Sequence, residues 1–283
     1  MARKAEPGVQ IPAWCPGCGN FGILKAVDQA LDELRIERHK VLMVSGIGQA
    51  GKLPHYTKCN SLNALHGRTL PSASAAKLAN RDLTVIAIGG DGDGYAEGGN
   101  HFLNAARRNH DITYLIHDNQ IYGLTKGQAS PTSDEGFVTG TSPHGAGRPI
   151  NSIPMAIVAG ATFVARGFAG DAEQLSSIIK AGIEHRGFAI IDILQPCVSF
   201  NHVNTFKWYR ERVYKLEGHG YDNTDRMAAI RKGYEWGERI PTGIIYQEER
   251  QTYEDGWPAL KSAPLIERKT EPEELEKLFG EFL

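Results

Sequence analysis

Residues 84–119 read TVIAIGGDGDGYAEGGNHFLNAARRNHDITYLIHDN, and this stretch decides the fold. An apolar run at 84–88 leads into a Gly/Asp turn, a helix-like segment follows, and a second apolar run at 112–117 ends in Asp118-Asn119. Two buried parallel strands joined by a helix explain this order. Open α/β sheets bind ligands at the carboxyl ends of their strands, so the pattern predicts that Asp91 and Asn119 lie side by side at that edge.

A carboxylate and an amide oxygen are suitable ligands for a hard divalent cation that holds a diphosphate, and glycines let the backbone approach closely. Gly90-Asp91-Gly92, with Asn119 following 28 residues after Asp91, resembles the thiamine diphosphate signature. This resemblance implies that Asp91, Asn119 and the main-chain carbonyl of Ile121 hold Mg²⁺. The alternative is an ordinary Gly/Asp turn with an asparagine that caps a strand end, since both residue types are common in turns.

The composition fits a soluble globular protein with an apolar core. The chain has 283 residues, of which 41% are hydrophobic and 23% charged, and its net charge is −2. The sequence has no basic stripe of the kind that binds nucleic acid. Its longest apolar runs have the length of strands rather than of membrane spans. Residues 1–7 read MARKAEP and lead into no apolar signal segment, so we expect a cytoplasmic location.

The order of apolar segments predicts an α/β fold with a doubly wound, mostly parallel sheet. Strands are expected at 41–45, 84–88, 112–117, 162–165 and 188–194, with a sixth at 242–246. Helices are expected at 21–35, with Asn20 as its N-cap, and at 70–79, 153–159, 172–185, 224–237 and 271–283. Residues 1–200 form the predicted binding domain. Residues 201–283 contain few apolar residues and form a predicted C-terminal arm that packs on this domain and on partner subunits.

Four cysteines offer a second kind of site. Cys15 and Cys18 share one loop before a helix, Cys59 follows the glycine-rich loop 46–51, and Cys197 follows the last strand of the predicted domain. All four are near loops expected at the ligand-binding edge of the sheet, so they could converge. Such a set holds an iron–sulfur cluster or structural Zn²⁺, and the remaining possibility is unrelated buried thiols.

Several short motifs together resemble one known family. WCPGCGN at 14–20, GIG at 46–48, LHGR at 65–68, the Gly-Asp-Gly to Asp-Asn run, IYGLTKGQ at 121–128, SPT at 130–132 and LQPC at 194–197 occur in the order seen in the β subunit of 2-oxoacid:ferredoxin oxidoreductases. The resemblance covers residues 11–205. It implies the thiamine diphosphate-binding fold and oxidative decarboxylation of a 2-oxoacid with coenzyme A, Mg²⁺ and one [4Fe–4S] cluster, with ferredoxin as electron acceptor.

The resemblance also assigns roles to individual residues. Cys15, Cys18 and Cys197 resemble cluster ligands, and Cys59 is taken as the fourth because Gln49 stands where many relatives have a cysteine after the GIG loop. The residues expected to bind the cofactor are Gly48, His66, Gly90, Asp91, Gly92, Asp93, Asn119, Ile121, Gly123, Leu124 and Thr125.

Four of the matched residues are expected to act on the substrate or the bent cofactor. Leu124 resembles the residue that props thiamine into its bent form, and His66 resembles a residue near the diphosphate or the substrate. Lys126 and Lys52 are candidates to attract the 2-oxoacid carboxylate or coenzyme A. The alternatives are a surface histidine in a turn, a leucine that plugs the core, and ordinary solvated lysines.

This chain contains no convincing glutamate to activate the thiamine ring. In the family that glutamate comes from the α subunit, so the resemblance implies an α₂β₂ assembly in which this chain is inactive alone. Glu97 is the internal candidate, although a glutamate near a helix N-terminus has a simpler explanation. The overall pattern favours 2-oxoglutarate over pyruvate as substrate, with reductive carboxylation as the reverse direction. The competing hypotheses are a cluster-free thiamine decarboxylase or synthase subunit, and an inert scaffold paralogue.

Overall fold

Strands and helices alternate through most of the computed structural model, which describes residues 10–261, 263–269 and 271–282. The strands of these residues are β1 (Val41–Ser45), β2 (Asn60–Asn63), β3 (Thr84–Gly90), β4 (Ile112–Asp118), β5 (Ile121–Tyr122), β6 (Gln128–Ala129), β7 (Phe163–Phe168), β8 (Phe188–Leu194), β9 (Val213–Lys215) and β10 (Ile240–Gln247). Their α-helices are α1 (Asn20–Glu33), α2 (Thr69–Ala79), α3 (Gly99–Arg108), α4 (Ser152–Ala159), α5 (Ala172–Glu184), α6 (Phe206–Arg210), α7 (Arg226–Gly233) and α8 (Pro272–Gly280).

Eight strands form one sheet in the order β2-β1-β3-β4-β8-β7-β10-β9. The β10–β7 pair is antiparallel and every other pair in this sheet is parallel. Strands β4, β7 and β8 are buried along their whole length, as expected for central strands with helices on both faces. The predicted doubly wound, mostly parallel α/β fold is therefore confirmed.

Two apolar cores lie on the two faces of the sheet. One contains Ile23, Val27 and Leu31 of α1 together with residues of α5, and the other is built from α2, α3, α4 and α7. The amphipathic repeat of α1 places its apolar side chains on the sheet, and Asp171 caps the start of α5 by accepting a hydrogen bond from the Gln174 amide. The strands β1, β3, β4 and β8 are parallel neighbours, so their carboxyl ends lie together along one edge of the sheet, between the two helical layers.

Most element boundaries differ little from the sequence-based expectation. Strand β8 spans the predicted residues, and β7 is longer, ending at Phe168. The prediction that Asn20 caps α1 is wrong: Gly19 precedes the helix and Asn20 is its first residue, with its side chain buried against His117 at 2.8 Å from Asn20 Oδ1 to His117 Nδ1. The C-terminal helix ends at Gly280, before the predicted end at Leu283, which lies outside the described residues.

Residues 201–261 return to the sheet. Strand β10 pairs with β7, and β9 pairs with β10 at the edge, so this segment extends the sheet beyond residue 200. After β10 the chain contacts the residues just before β4, because Glu254 Oε1 lies 2.7 Å from His110 Nδ1 in a buried contact. Among the described residues, no helix combines the length and apolarity needed to cross a membrane.

Candidate functional site

Asp91 lies directly after β3, at the start of a π-helical turn, Gly92–Glu97. It is 2% exposed, and its Oδ2 atom accepts hydrogen bonds from Ser130 Oγ at 2.5 Å and Thr132 Oγ1 at 2.7 Å. Burial, with a smaller contribution from the charge of Asp192, outweighs the hydrogen bonds from the two hydroxyls and raises the pKa of Asp91 to about 6. Burying this carboxylate in its charged form is unfavourable, and a cation bound beside it would reduce that cost.

Two further buried carboxyl groups surround Asp91. Asp118 ends β4, and its Oδ1 lies 2.7 Å from the same Thr132 hydroxyl. Because a hydroxyl has one proton, Thr132 can donate to only one of the two acids, so the other contact requires a proton on a carboxyl group. Burial, followed by the charges of Asp192 and Asp91, raises the pKa of Asp118 well above its ordinary value, which identifies Asp118 as the protonated partner.

Asp192 lies inside β8. Together with Asp91 and Asp118 it forms a set of three buried carboxyl groups, called here the acidic group. Its Oδ2 accepts hydrogen bonds from Tyr95 at 2.7 Å and Ser152 at 2.5 Å. Arg166 on β7 is its partner in the strand register and is 3% exposed. The Arg166 guanidinium interacts electrostatically with Asp192 and Asp118 but not with Asp91, so among the described residues the charge of Asp91 has no protein cation beside it and suits a divalent cation.

Asn119 lies one residue beyond the end of β4, next to Asp91 at the same edge. Its Nδ2 donates to Gln195 Oε1 at 3.0 Å and its Oδ1 accepts the Ile121 amide at 3.1 Å. Gln120 has a φ of 58°, a left-handed conformation that turns the chain sharply between Asn119 and Ile121. The structure therefore brings Asp91 and Asn119 to adjacent strand ends, as the sequence predicts.

Asp93 has a different environment from the one expected for a residue that lines a diphosphate. Its Oδ1 accepts the amides of Ile47 at 3.0 Å and Gly67 at 2.9 Å, and its Oδ2 accepts Thr69 Oγ1 at 3.0 Å. The carboxylate thus holds the loop after β1 and the start of α2 in place. A Cβ atom on Gly46 would lie 2.1 Å from Asp93 Oδ2, so this close approach requires glycine.

His66, Glu97 and Tyr122 form a more open group beside Asp93. His66 Nδ1 lies 3.2 Å from Asp93 Oδ1 and 3.6 Å from Glu97 Oε2, and its side chain is 37% exposed. Tyr122 donates its hydroxyl to the Glu97 carboxylate at 3.1 Å. Glu97, at the end of the π-helical turn, therefore already accepts a hydrogen bond from Tyr122 and lies beside His66.

The segment after Asn119 forms the short β5–β6 hairpin and its connecting turn. Leu124 is 44% exposed, and Lys126 has a φ of 74°. Gly92 lies against this hairpin, because a Cβ there would be 2.2 Å from the Tyr122 ring. Lys52 lies in a 3₁₀ helix, Ala50–Tyr56, that follows the β1 loop. Of the remaining expected cofactor residues, Gly48 is in the loop after β1, Gly123 and Thr125 are in the turn between β5 and β6, and Gly90 is the last residue of β3.

The structure brings three of the four cysteines to one edge. Cys18 Sγ accepts Gln195 Nε2 at 3.4 Å, and the amide of Gly19 donates to the Pro196 carbonyl at 3.2 Å, so the loop of Cys15 and Cys18 lies against the residues before Cys197. The pKa of the Cys18 thiol is raised to about 11 by burial and by the neighbouring Cys197 and Cys15.

Cys59 lies at the opposite end of the sheet, contrary to the expected convergence. Strand β2 begins at Asn60 and is parallel to β1, with Asn60 paired to Leu42 near the amino end of β1. The residues between β1 and β2 therefore return the chain across the sheet before Cys59. The Cys59 thiol interacts with Thr57 and Arg38 instead, and burial raises its pKa.

The oxygen and sulfur ligands at this edge of the sheet indicate which metal or cofactor the edge could bind. Asp91, Asn119 and the Ile121 carbonyl supply oxygen ligands of the kind that Mg²⁺ prefers, beside buried acids with too few cations, so they fit a metal diphosphate. Three thiols supply part of a cluster site, but the fourth expected ligand is elsewhere. In residues 10–261, 263–269 and 271–282, no three side chains of His, Cys, Asp and Glu already form a metal-ligand set.

Sequence reasoning missed several residues of the acidic group. Thr132 and Ser130 belong to the SPT motif, but nothing in the sequence showed that they reach Asp91 from about forty residues away. Asp118 was visible next to Asn119 in the strand-end dipeptide. Asp192 and Arg166 each interrupt an apolar strand with a charge, which is the one signal that could have identified them.

Comparison with known proteins agrees with this geometry. Residues 43–193 match the family model described as thiamine pyrophosphate enzyme, C-terminal TPP binding domain. Residues 197–262 match the model for the C terminal part of the pyruvate ferredoxin oxidoreductase beta subunit. The first match contains the acidic group and Asn119, and the second begins at Cys197.

Curated relatives and a solved structure cover most of the chain. It is 49% identical over 255 residues to 2-oxoacid:ferredoxin oxidoreductase subunit beta of Saccharolobus solfataricus, which covers 85% of this chain and 84% of that protein. It is 43% identical over 189 residues to 2-oxoglutarate oxidoreductase subunit KorB of Mycobacterium tuberculosis, 66% of this chain and 51% of that one.

A structure of 2-oxoglutarate:ferredoxin oxidoreductase from Magnetococcus marinus, with 2-oxoglutarate, coenzyme A and succinyl-CoA bound, aligns with a TM-score of 0.88 and 35% identity. That alignment covers 99% of this chain and 94% of the other. The resemblance inferred from the motifs is thereby confirmed, and the chain belongs to the family of 2-oxoacid:ferredoxin oxidoreductase β subunits.

Proposed function

We propose that this chain is the thiamine diphosphate-binding subunit of an enzyme that oxidatively decarboxylates 2-oxoglutarate to an acyl-CoA and CO₂, with ferredoxin as electron acceptor. The observation that carries the proposal is the buried Asp91 beside Asn119 at adjacent strand ends, in a chain similar along 99% of its length to a 2-oxoglutarate enzyme. The KorB relative supports 2-oxoglutarate over pyruvate, which is the second candidate. Reductive carboxylation is the same reaction in reverse.

In this proposal Asp91, Asn119 and the Ile121 carbonyl hold Mg²⁺, and the metal holds the diphosphate. When bound, thiamine diphosphate supplies the nucleophile for the 2-oxo carbon and the electron sink for loss of CO₂. The buried acids around Asp91 favour metal binding because a divalent cation compensates negative charge that few protein cations balance. Gly90 and Gly92 keep the backbone close to the diphosphate, since neither carries a Cβ.

Four residues around this edge are assigned to cofactor shape and substrate charge. Leu124, half exposed in the turn after β5, supports the bent cofactor. Lys126, in the same turn, and Lys52, after the β1 loop, attract the carboxylates of the substrate or coenzyme A. His66 is oriented by Asp93 and Glu97, and its ring faces the open edge where the cofactor or substrate enters.

The cysteines support a cluster with three thiolates from this chain, Cys15, Cys18 and Cys197. Gln49, which resemblance places where relatives carry a fourth cysteine, is linked to the cysteine loop because Trp14 Nε1 donates to its carbonyl at 2.8 Å. Its buried Oε1 has no hydrogen-bond partner among the described residues. The position of Cys59 favours one competing candidate, a cluster-free thiamine enzyme. Iron and acid-labile sulfide analysis distinguishes the two.

The proposed assembly is an α₂β₂ complex in the cytoplasm. An α subunit supplies the glutamate that activates the thiamine ring, because Glu97, the internal candidate, is occupied by Tyr122 and His66. The chain alone is expected to bind the cofactor without turning over substrate.

The test compares steady-state rates for 2-oxoglutarate and pyruvate on the anaerobically reconstituted complex. We expect a higher kcat/KM for 2-oxoglutarate, and loss of activity and of Mg²⁺-dependent thiamine diphosphate binding in Asp91→Asn. Asp82→Asn, on the exposed side of the turn before β3, is the matched control. Full activity of Asp91→Asn would refute the metal assignment, and a preference for pyruvate would refute the assigned substrate alone.

A further inference from the structure

A cavity of about 320 Å³ lies behind the acidic group, between the loop 131–151 and the chain that joins α7 to β10. Arg166 and Asp118 form its buried floor, while Glu135, Arg148 and Tyr234 form an exposed rim. A cavity of this size is in the range that binds small molecules. It does not include Asp91 or Asn119, but it adjoins the proposed metal site, because Thr132 lines it and donates a hydrogen bond to Asp91.

Arg166 is the distinctive group in this cavity. It is 3% exposed, and its Nε and Nη1 atoms have no hydrogen-bond partner within the part of the chain that the structure describes. Its neighbour in the strand register, Asp192, uses Oδ2 to accept the hydroxyls of Tyr95 and Ser152. Protein interiors leave few buried N–H groups unpaired, so two on one guanidinium indicate a missing acceptor.

Asn151 offers the complementary group. It occupies the N-cap position of α4, but its side chain makes no capping hydrogen bond. Asparagine at this position usually accepts an amide hydrogen bond from the first helical turn. Its Oδ1 is instead buried at the cavity without a partner among the described residues. The cavity therefore presents unpaired donors and an unpaired acceptor together.

The remaining walls restrict the class of ligand. The Arg166 guanidinium lies 5.5 Å from the centre of the Trp236 ring, which provides an apolar wall. Trp236 Nε1 donates to Asp134 Oδ1 at 2.9 Å, so this carboxylate is already engaged. Two further acidic residues, Asp134 and Glu135, also line the cavity and would repel a dianion. One negative charge and one hydrogen-bond donor fit these walls best.

We propose that this cavity binds a small monocarboxylate that carries a hydroxyl or ammonium group, with its carboxylate on Arg166 and its donor on Asn151 Oδ1. The ligand takes no part in the proposed decarboxylation, because none of the residues assigned to the cofactor lines the cavity. Thr132, which does line it, links the two sites through its hydrogen bond to Asp91. Hydroxy acids and amino acids are the ligand class that satisfies both unpaired groups at once. An acid without a donor would leave Asn151 unsatisfied and bind more weakly.

The test is calorimetric titration of the full chain, alone and assembled with its α subunit, with glycolate, glycine, acetate and inorganic phosphate as probes. We expect glycolate or glycine to bind about tenfold more tightly than acetate, since one hydrogen bond separates them. Arg166→Met is expected to abolish binding. Asn151→Ala is expected to remove the preference over acetate, and it should fold normally because it breaks no cap.

Arg210→Met, the same change at an exposed arginine of α6, is the matched control and is expected to bind as the wild type does. Three results would overturn the proposal. They are binding that persists in both Arg166→Met and Asn151→Ala, phosphate that binds as tightly as glycolate, and a crystal structure with glycolate that contains only ordered water in the cavity.

Discussion

Thr132 donates its hydroxyl to Asp91 Oδ2 across 2.7 Å, and this contact joins the loop after β6 to the end of β3. The same hydroxyl oxygen lies 2.7 Å from Asp118, so the acids share protons through a single threonine. Two buried carboxyl groups held this close titrate as a pair, and the first charge to form makes the second more costly. Metal binding at Asp91 must therefore compete with protons.

The first prediction concerns the pH dependence of metal binding. Because the pKa of Asp91 is raised to about 6, Mg²⁺ must displace a proton below that pH. We expect the affinity for Mg²⁺ with thiamine diphosphate to fall about tenfold per pH unit below pH 6 and to level off above it, when one proton is displaced. Titration at several pH values measures this slope. A flat profile between pH 5 and 7 would contradict the assignment.

The same shift acts on the metal-free chain with the opposite sign. The folded state retains a proton on Asp91 between its ordinary pKa of 3.8 and about 6, whereas the unfolded state has lost it. Stability of the metal-free chain therefore declines as pH rises through this window. Added Mg²⁺ and thiamine diphosphate should reverse the decline, so the rise in Tm on adding them is larger at pH 7 than at pH 5.

The second prediction separates the cysteines. Cys15→Ser, Cys18→Ser and Cys197→Ser should each lower the iron and labile sulfide content and the visible absorption of the anaerobic protein. Cys59→Ser should leave both unchanged, because this thiol lies beside Arg38 at the other end of the sheet. It is also the matched control for serine substitution. A cluster lost in Cys59→Ser alone would show that the loop between β1 and β2 is arranged differently.

The third prediction tests how Asp93 supports the edge. Gly46→Ala would place a Cβ 2.1 Å from a carboxylate that holds the Ile47 and Gly67 amides. We expect it to cost about 2–4 kcal/mol in the free energy of unfolding and to weaken cofactor binding, because the loop must shift. Gly99→Ala, where a Cβ meets nothing within 4 Å, is the control and should leave stability unchanged or higher. Thermal and urea unfolding measure both.

The fourth prediction concerns the contact between His110 and Glu254, whose side chains are 5% and 6% exposed. Burial raises the pKa of Glu254, but the His110 contact and amide hydrogen bonds outweigh it and hold this pKa below its usual 4.5. Glu254→Gln should therefore cost about 1.5–3 kcal/mol near neutral pH, because it removes the charge from a buried hydrogen bond between the Glu254 carboxylate and His110.

This difference should shrink as pH falls below 4.5, where the unfolded glutamate takes up a proton, and it is lost once the pH passes below the lowered pKa of the folded state. Glu37→Gln, in an exposed pair with Lys40, should leave the Tm unchanged. Equal losses in the two variants would contradict the importance of burial.

Sequence reasoning predicted those parts of the fold in which local pattern and burial coincide. The strand at 188–194 is a continuous apolar run between turns, and its boundaries were predicted correctly. Strand β2 was missed because its sequence, NSLN, is polar and fully exposed at the edge of the sheet, where it carries neither alternation nor burial. The position of Cys59 depends on that strand, so the error in placing this cysteine followed from the missed element.

The candidate site divides in the same way. Asp91 and Asn119 follow predicted strands, so their positions could be inferred from strand ends alone. Thr132 and Arg166 come from segments distant in sequence, and only packing brings them to the acids. Asp93 could not be assigned from the sequence for another reason. A carboxylate in a glycine-rich turn has the same sequence pattern whether it lines a bound phosphate or accepts hydrogen bonds from the protein backbone, as Asp93 does.

The antiparallel pairing of β10 with β7 means that the sheet is completed by residues that follow β7 by more than seventy positions. Strand β7 is buried along its whole length in the folded chain, but its outer edge has no partner until residues 240–247 have left the ribosome. An unpaired apolar edge of this kind is a template for pairing between molecules. A chain that stops near residue 200 would therefore expose this apolar edge of β7 to pairing between molecules, which the β10 strand prevents.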